Sequence, residues 1–437
     1  MKKLIYLIVV IVALGLIVTG CNNPVVPPTE QNETSGLTKG SIIYVDDDGG
    51  GPYTTIQAAI DASNPGDTIK VAAGIYSESN ITIKKSLTIL GAPGDSAPGP
   101  AAGAPVIDGG GVVADAFDLA DGVSNVTISG FEIRNFAATD FTNGSGVGIQ
   151  AWVPSTSNIT VSDNWFHNVG YGVMAGNDGS SVKYALGTHT NWTVSGNIIE
   201  EFSSIGVELT DTSNSSVHGN VIHMAGGSTT GQIGIFSWVH ISQSGLTVSG
   251  NTIDGAMVSY PAVYMYAYDD ASPSPNLNDV TIENNTISTT GSPFQVYLRD
   301  ISMGTVTGVN VNYNNLTGLN GLKNLTAVSV DATCNWWGYT SGPKNETTNP
   351  DGEGGYVSGN VIYSPWLLGP APDAVCLDYY WYGFDQIVEC MLSAKNHGQF
   401  VSCVSHLTKD WLKGELITAE DKAAITKWAA KSDIGKK

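Results

Sequence analysis

One short pattern recurs along this chain, and it limits the fold more than any other feature. A β-branched strand leads into a turn, then an Asn and another apolar residue. The copies are NVTISGFEI from Asn125, NITVSDNWF from Asn158, NWTVSGNII from Asn191 and NSSVHGNVI from Asn214, then GLTVSGNTI from Gly245, DVTIENNTI from Asp279 and GVNVNYNNL from Gly308. Aligned on the position after the turn, they fall at Phe131, Asn164, Asn197, Asn220, Asn251, Asn285 and Asn314. A fixed kernel separated by gaps of uneven length is the mark of a solenoid, in which each coil keeps its strands and varies its loops. After each kernel comes a second apolar-alternating run: 146–152, 170–176, 204–210, 232–238, 261–268 and 294–300. Alternation of period 2 predicts strands. Equivalent positions of successive coils then stack about 4.8 Å apart, and the Asn column is expected to hydrogen-bond along the stack.

These residues resemble the right-handed parallel β-helix proteins, the class often called pectin lyase-like. Residues 44–91 look like that class's N-terminal entry, with a short helix over 55–62 capping the first coil. The segment from Asp331 through Gly342 and Pro343 resembles a closing-coil motif of secreted members. The resemblance covers about residues 41–368 and implies an all-β fold. It is specific for fold and poor for function.

Enzymatic signatures of the class are incomplete. The segment from Gly74 to Glu78, with Gln57, resembles the opening motif of pectin methylesterases, but their Gln-Asp-Thr and Asp-Phe-Ile-Phe-Gly segments are missing. Asp269 and Asp270 form an acidic pair, yet no His-Gly or Arg-Ile-Lys segment follows in the repeat region; His397-Gly398 lies in the tail. Pectate lyases need a basic catalytic residue and acidic calcium ligands. Between residues 86 and 322 the only bases are Arg134, Lys183 and Arg299, against 19 acids. The whole chain carries a formal charge of −21, which excludes a phosphate-neutralising nucleic-acid binder. The same field repels a bare polyanion unless Ca²⁺ bridges it to the acids, so calcium enters only in that role. No cofactor is expected. No pair among His167, His189, His218, His223 and His240 has ligand spacing on a defined strand, so no metal site is read.

The N-terminus reads as a targeting segment. Lys2 and Lys3 precede an apolar run from Leu4 to Val18, too short to span a bilayer. It ends in Val18-Thr19-Gly20-Cys21, which resembles the lipobox of bacterial lipoproteins. That resemblance implies a signal peptide over 1–20 and a lipid anchor on Cys21 of an exported protein at the cell surface or in the periplasm. Residues 21–40 are polar and Pro-rich, as a tether would be.

A binding site is expected on the second strand of each coil. Ile149, Val173, Val207, Ile235, Val263 and Val296 should face in. Alternation then sends Gln150, Met174, Glu208, Phe236, Tyr264 and Tyr297 outward, followed by Trp152, Gly176, Thr210, Trp238, Tyr266 and Arg299. Aromatic faces beside polar groups suit sugars. The expected ligand-binding residues are therefore Trp152, Phe236, Trp238, Tyr264, Tyr266, Tyr297 and Arg299, with a polysaccharide or other glycan as partner. The carboxylates beside them, as candidate acids, bases or nucleophiles, are Glu208, Asp211, Asp269, Asp270 and Asp300. Three functions stay open: a glycan-binding surface lipoprotein, a polysaccharide lyase or glycoside hydrolase using the same face, and a structural adhesin or envelope protein in which loops cover the stripe.

The solenoid is expected over 41–370. Residues 371–437 change in composition and show helical periodicity over 384–394, 398–413 and 419–431. With Cys21 lipidated, Cys334, Cys376, Cys390 and Cys403 allow two disulfides in three connectivities.

Overall fold

The computed structural model describes residues 40–91, 103–137, 145–176, 189–224, 232–268, 275–291, 294–300, 305–372, 374, 376, 384–414, 416–417, 419–432 and 434–435. The segments carrying Cys21 and the 269–270 acidic pair lie outside these residues.

The strands wind into two long sheets, one of 13 strands and one of 18, in which every paired neighbour runs parallel. The first sheet takes its strands from successive coils in chain order, from Ile42–Val45 to Val361–Ile362, one coil giving two short ones, Thr212–Ser213 and Ser216–His218. The second carries the other two strand positions of each coil. In Trp165–Gly176 and Ile198–Leu209 these fuse into one strand of 12 residues, with a register shift between Val169 and Tyr171. This is a right-handed parallel β-helix.

Two kinds of column explain why this sequence makes these coils. The first is apolar. Ile69, Ile89, Ile128, Val161, Val194, Val217, Val248, Ile282 and Val311 stack in register, each fully buried. Burying one such side chain is worth roughly 1.5–3 kcal/mol, and β-branched residues suit a pleated, two-sided stack. The second is conformational. The kernel's first residues, Asn125, Asn158, Asn191, Asn214, Gly245, Asp279 and Gly308, all have φ between 49° and 67°. Only Gly, Asn and Asp enter that left-handed region cheaply, which is why the kernel opens on those types.

The asparagines after the turn form a continuous ladder. Asn164, Asn197, Asn220, Asn251, Asn285, Asn314 and Asn335 are buried, and each Nδ2 donates to the Oδ1 of the next at 2.9–3.1 Å. Each Oδ1 also accepts the backbone N–H of the preceding rung, at 2.8–3.1 Å from Phe131 onward. Each Nδ2 donates a second time, to a strand carbonyl of the preceding coil, as Asn220 does to Val194. Asn335, inside the closing-coil motif, is a rung the repeat alignment does not reach.

The ends are closed. Helix α1 (Ile56–Ala62) buries Ile56, Ala59 and Ile60 on the first coil. Its first N–H groups donate to Glu78, at 2.7 Å from Ile56 and 3.0 Å from Gln57. Gln57 in turn holds Thr82 by side-chain bonds to its N–H and carbonyl. Glu78 and Gln57 are thus capping groups, which accounts for their presence without an esterase motif. At the other end lie helices α2 (Phe384–Ser393), α3 (His397–Lys413) and α4 (Ala419–Lys431). Cys390–Cys403 joins α2 to α3, and Cys334–Cys376 ties the closing coil to the segment before the helices.

Candidate functional site

The site begins with a change of parity. In four successive coils of the second sheet a glycine column, Gly148, Gly172, Gly206 and Gly234, approaches the next coil so closely that a Cβ on Gly172 would sit 2.5 Å from the Gly206 carbonyl oxygen. The chain bends there, and strict alternation fails. Val147, Tyr171, Ile205 and Ile233, one residue before each glycine, join Met174, Phe236 and Tyr264 in a second apolar cluster outside the solenoid core. Every coil there presents two outward positions three residues apart, which cover each other.

This corrects the expected open stripe. In register the column runs Asp118, Gln150, Met174, Glu208, Phe236, Tyr264, Tyr297 and Lys323. Met174, Glu208, Phe236 and Tyr264 are 8% exposed or less. Phe236 and Tyr264 therefore act as the floor of the site and offer no open stacking face. Accessible surface remains at the rim, where Trp238, Tyr266, Tyr297 and Arg299 are half-buried and Trp152 is exposed. Trp152 rests over Gly176, with its ring 2.9 Å from where a Cβ would be, three coils or about 14 Å from Trp238.

The rim is organised around Tyr264. Its ring stacks on Tyr297 at 5.0 Å and on Tyr266 at 5.5 Å, both nearly coplanar, and meets Phe236 at 5.3 Å. Arg299 lies beside the Tyr264 side chain and places its guanidinium 4.9 Å over the Tyr266 ring. The Tyr264 side chain raises the Arg299 pKa further, while burial raises that of Tyr264. Lys323 Nζ lies 5.6 Å over Tyr297 and 5.5 Å over Phe294. Trp238 packs on His240 and Tyr268, and its buried Nε1 has no hydrogen-bond partner among the described residues.

The candidate carboxylates separate. Glu208 is buried between Met174 and Phe236, and burial pushes its pKa up to about 7. Thr210 Oγ1 accepts the Trp238 N–H at 3.0 Å and so turns its own hydrogen to Glu208, at 3.1 Å. Asp211 is a loop anchor: its Oδ1 accepts the N–H groups of His240, Ile241 and Ser242 at 2.7–3.1 Å. Its burial raises it to about 6. Asp300 closes the strand Val296–Asp300 beside Ala267, half-buried. Neither forms a close carboxylate pair with Glu208 by any contact in the structure.

A carboxylate pair exists elsewhere in the same column. Gln150 Nε2 donates to both Asp115 Oδ2, at 3.0 Å, and Asp118 Oδ1, at 3.1 Å. Burial raises both, Asp115 to about 6, with the charge of Asp118 adding to the shift. Asp115 Oδ1 also accepts the Val147 N–H at 2.8 Å. Asp118 stands three coils from Glu208, about 14 Å. Sequence reasoning missed this pair because it precedes the first kernel; the in-register Gln150 was the available signal.

The histidines have structural partners. His189 Nε2 donates to the Gly176 carbonyl, so its Nδ1 accepts from Thr156, which also receives the Trp192 indole N–H. Burial lowers its pKa and keeps the ring neutral. His167 and His223 sit 3.0 Å and 2.8 Å from Glu132 and Asp254. Among the described residues the one cluster with metal-ligand spacing is Asp46, Asp47 and Asp48, far along the chain from this face.

The comparison with family models agrees with the fold. A family described as right-handed beta helix region matches residues 119–270. No curated protein shows a matching sequence. Among solved structures, a DFA-IIIase from Arthrobacter chlorophenolicus A6 in complex with DFA-III is 15% identical, covering 80% of this chain and 88% of its own at a TM-score of 0.41. An alginate lyase from Paenibacillus sp. str. FPU-7 is 15% identical, over 70% and 95%, with a TM-score of 0.37. The A-module of the Azotobacter vinelandii mannuronan C-5 epimerase AlgE6 is 16% identical, over 71% and 94%, with a TM-score of 0.31.

Proposed function

We propose that this protein is an exported, lipid-anchored β-helix that binds an extended glycan along the rim of its second outer face. The observation that carries the reading is the rim itself: Trp238, Tyr266 and Tyr297, half-buried, on successive coils over a floor of Phe236 and Tyr264. Rings held rigidly by stacking, with polar edges at the surface, suit sugars, whose CH faces pack while hydroxyls hydrogen-bond. Cys21, in its lipobox-like setting, supports the anchor. Binding of the full-length chain to a glycan array tests the first part, and Trp238→Ala should weaken the best hit about 5- to 150-fold. Unchanged affinity would remove Trp238 from the site, and no glycan binding at all would sink the reading. Membrane fractionation tests the anchor: Cys21→Ala should release the protein from the membrane fraction.

A second reading, a glycan-cleaving enzyme, is favoured by the Asp115–Asp118 pair. Two carboxylates that share one amide donor and repel each other can divide acid and base roles. Product analysis after incubation with the bound glycan tests it. Cleavage abolished by Asp118→Asn would support it, and an unchanged glycan would leave the binding reading alone.

A further inference from the structure

The rim ends on two cations, and nothing in the glycan-binding reading requires them. We propose that Arg299 and Lys323 form an acidic-substituent subsite, so that the bound glycan carries a carboxylate or sulfate at the end of the row farthest from Glu208. This rests on the proposed glycan-binding reading and adds to it both the ligand's charge and its direction.

Arg299 and Lys323 are the basic side chains that continue the two aromatic columns in register, in a region where acids far outnumber bases. Neither forms an ion pair with a carboxylate of the described residues. Both are half-buried over tyrosine rings, with Arg299 over Tyr266 and Lys323 over Tyr297. The guanidinium lies between the Tyr264 side chain and the Tyr266 ring, and among the described residues no carboxylate pairs with its N–H fork. A preorganised guanidinium fork matches a planar carboxylate or a sulfate in two-point contact, and a nearby ammonium adds a point charge. The cations sit at one end of the row. From Glu208 the register runs through Phe236, Tyr264 and Tyr297 to Lys323, four strand spacings or about 19 Å. The Glu208 half of the face, bordered by acids, repels anions, while the Arg299–Lys323 half attracts them. A uniformly charged polyuronate fits poorly, whereas a mostly neutral chain with one acidic unit fits in a single orientation.

The test is calorimetric binding of the full-length protein to three probes: a neutral hexasaccharide of the array-positive type, the same oligomer with one uronic acid, and the same oligomer with one sulfate ester. At low salt at least one acidic probe should bind about 10-fold or more tightly than the neutral one. That preference, read within each variant as the ratio of acidic-probe to neutral-probe affinity, should shrink as salt rises and vanish in Arg299→Gln and Lys323→Gln. Which acidic probe is preferred identifies the substituent. Equal binding of all three, or a preference that survives both substitutions, overturns the subsite while leaving glycan binding intact. Loss of neutral-probe binding in both variants assigns the two residues to general packing and also overturns it. Failure of the unaltered protein to bind any probe overturns the parent reading and the subsite together.

Discussion

Two stacks of side chains run along this solenoid, each built from one residue per coil, and they differ in almost every other respect. The buried asparagine ladder repeats one residue type seven times and satisfies each amide. The outer column repeats only tyrosine, once: Asp118, Gln150, Met174, Glu208, Phe236, Tyr264, Tyr297 and Lys323 follow one another in register. It contains a carboxyl pushed up to about 7, and the indole Nε1–H of Trp238 beside it lacks a partner among the described residues. Identical rungs make a fold, because each coil solves the same hydrogen-bonding problem. Varied rungs set local chemistry that the fold does not need, which is where ligand recognition belongs.

The contrast can be broken most severely at the ladder. Asn220→Leu removes the acceptor of the Asn197 N–H and amide and the donor to Val194, leaving buried groups unpaired. We expect a loss of about 3–5 kcal/mol, read as a lower urea midpoint with unchanged slope. A loss under 1 kcal/mol would mean the ladder is decoration.

Glu208 tests the other stack. Its folded pKa, about 7, lies above its ordinary value, so the native state binds the extra proton between roughly pH 4.5 and 7. Its contribution to stability therefore falls as pH rises through that window. Glu208→Gln should be about 3 kcal/mol more stable than the parent at pH 8 and equal to it below about pH 4. Parallel pH profiles for the two proteins would show that the carboxyl is solvated.

Smaller effects sharpen the picture. Trp238→Ala should cost about 1–3 kcal/mol in glycan binding with little change in the urea midpoint, the reverse of Asn220→Leu. Smallest is the turn: Asn158, at φ 54°, should lose about 1 kcal/mol as Ala and almost nothing as Gly. Equal midpoints for Asn158→Ala and Asn158→Gly would show that its bond to Asn125, at 3.1 Å, and not its backbone, selects asparagine.

The repeated strands, the ladder and the three C-terminal helices were legible because each rests on local chemistry written plainly in the sequence. Residues 384–394, 398–413 and 419–431 match α2 to α4 within a residue. The site was legible only in part. Alternation says which way a side chain points, not what lies over it, so Phe236, Tyr264 and Glu208 were expected at the surface and are buried. The parity change at Gly148, Gly172, Gly206 and Gly234 needed the approach of the next coil to be seen. Asn335 escaped because its coil spells the kernel differently. Asp115 and Asp118 escaped because their significance comes from Gln150, more than 30 residues away in sequence.

The ladder also has a direction. Every rung gives both its backbone N–H and an amide hydrogen to the rung after it, from Asn164 through to Asn335, which turns its own amide back on Ala332 and Val311. A coil emerging from synthesis therefore holds two unanswered donors until its successor folds, and the chain ends on a residue that answers itself. Trimming coils from the N-terminal side would strand one donor, the Nδ2 hydrogen given to the lost coil's carbonyl, beside an Oδ1 acceptor. Trimming from the C-terminal side would strand two donors, the backbone N–H and the other Nδ2 hydrogen, and stranded donors are what buried structure tolerates least. The solenoid is thus a one-way structure, more fragile when cut from behind than from in front.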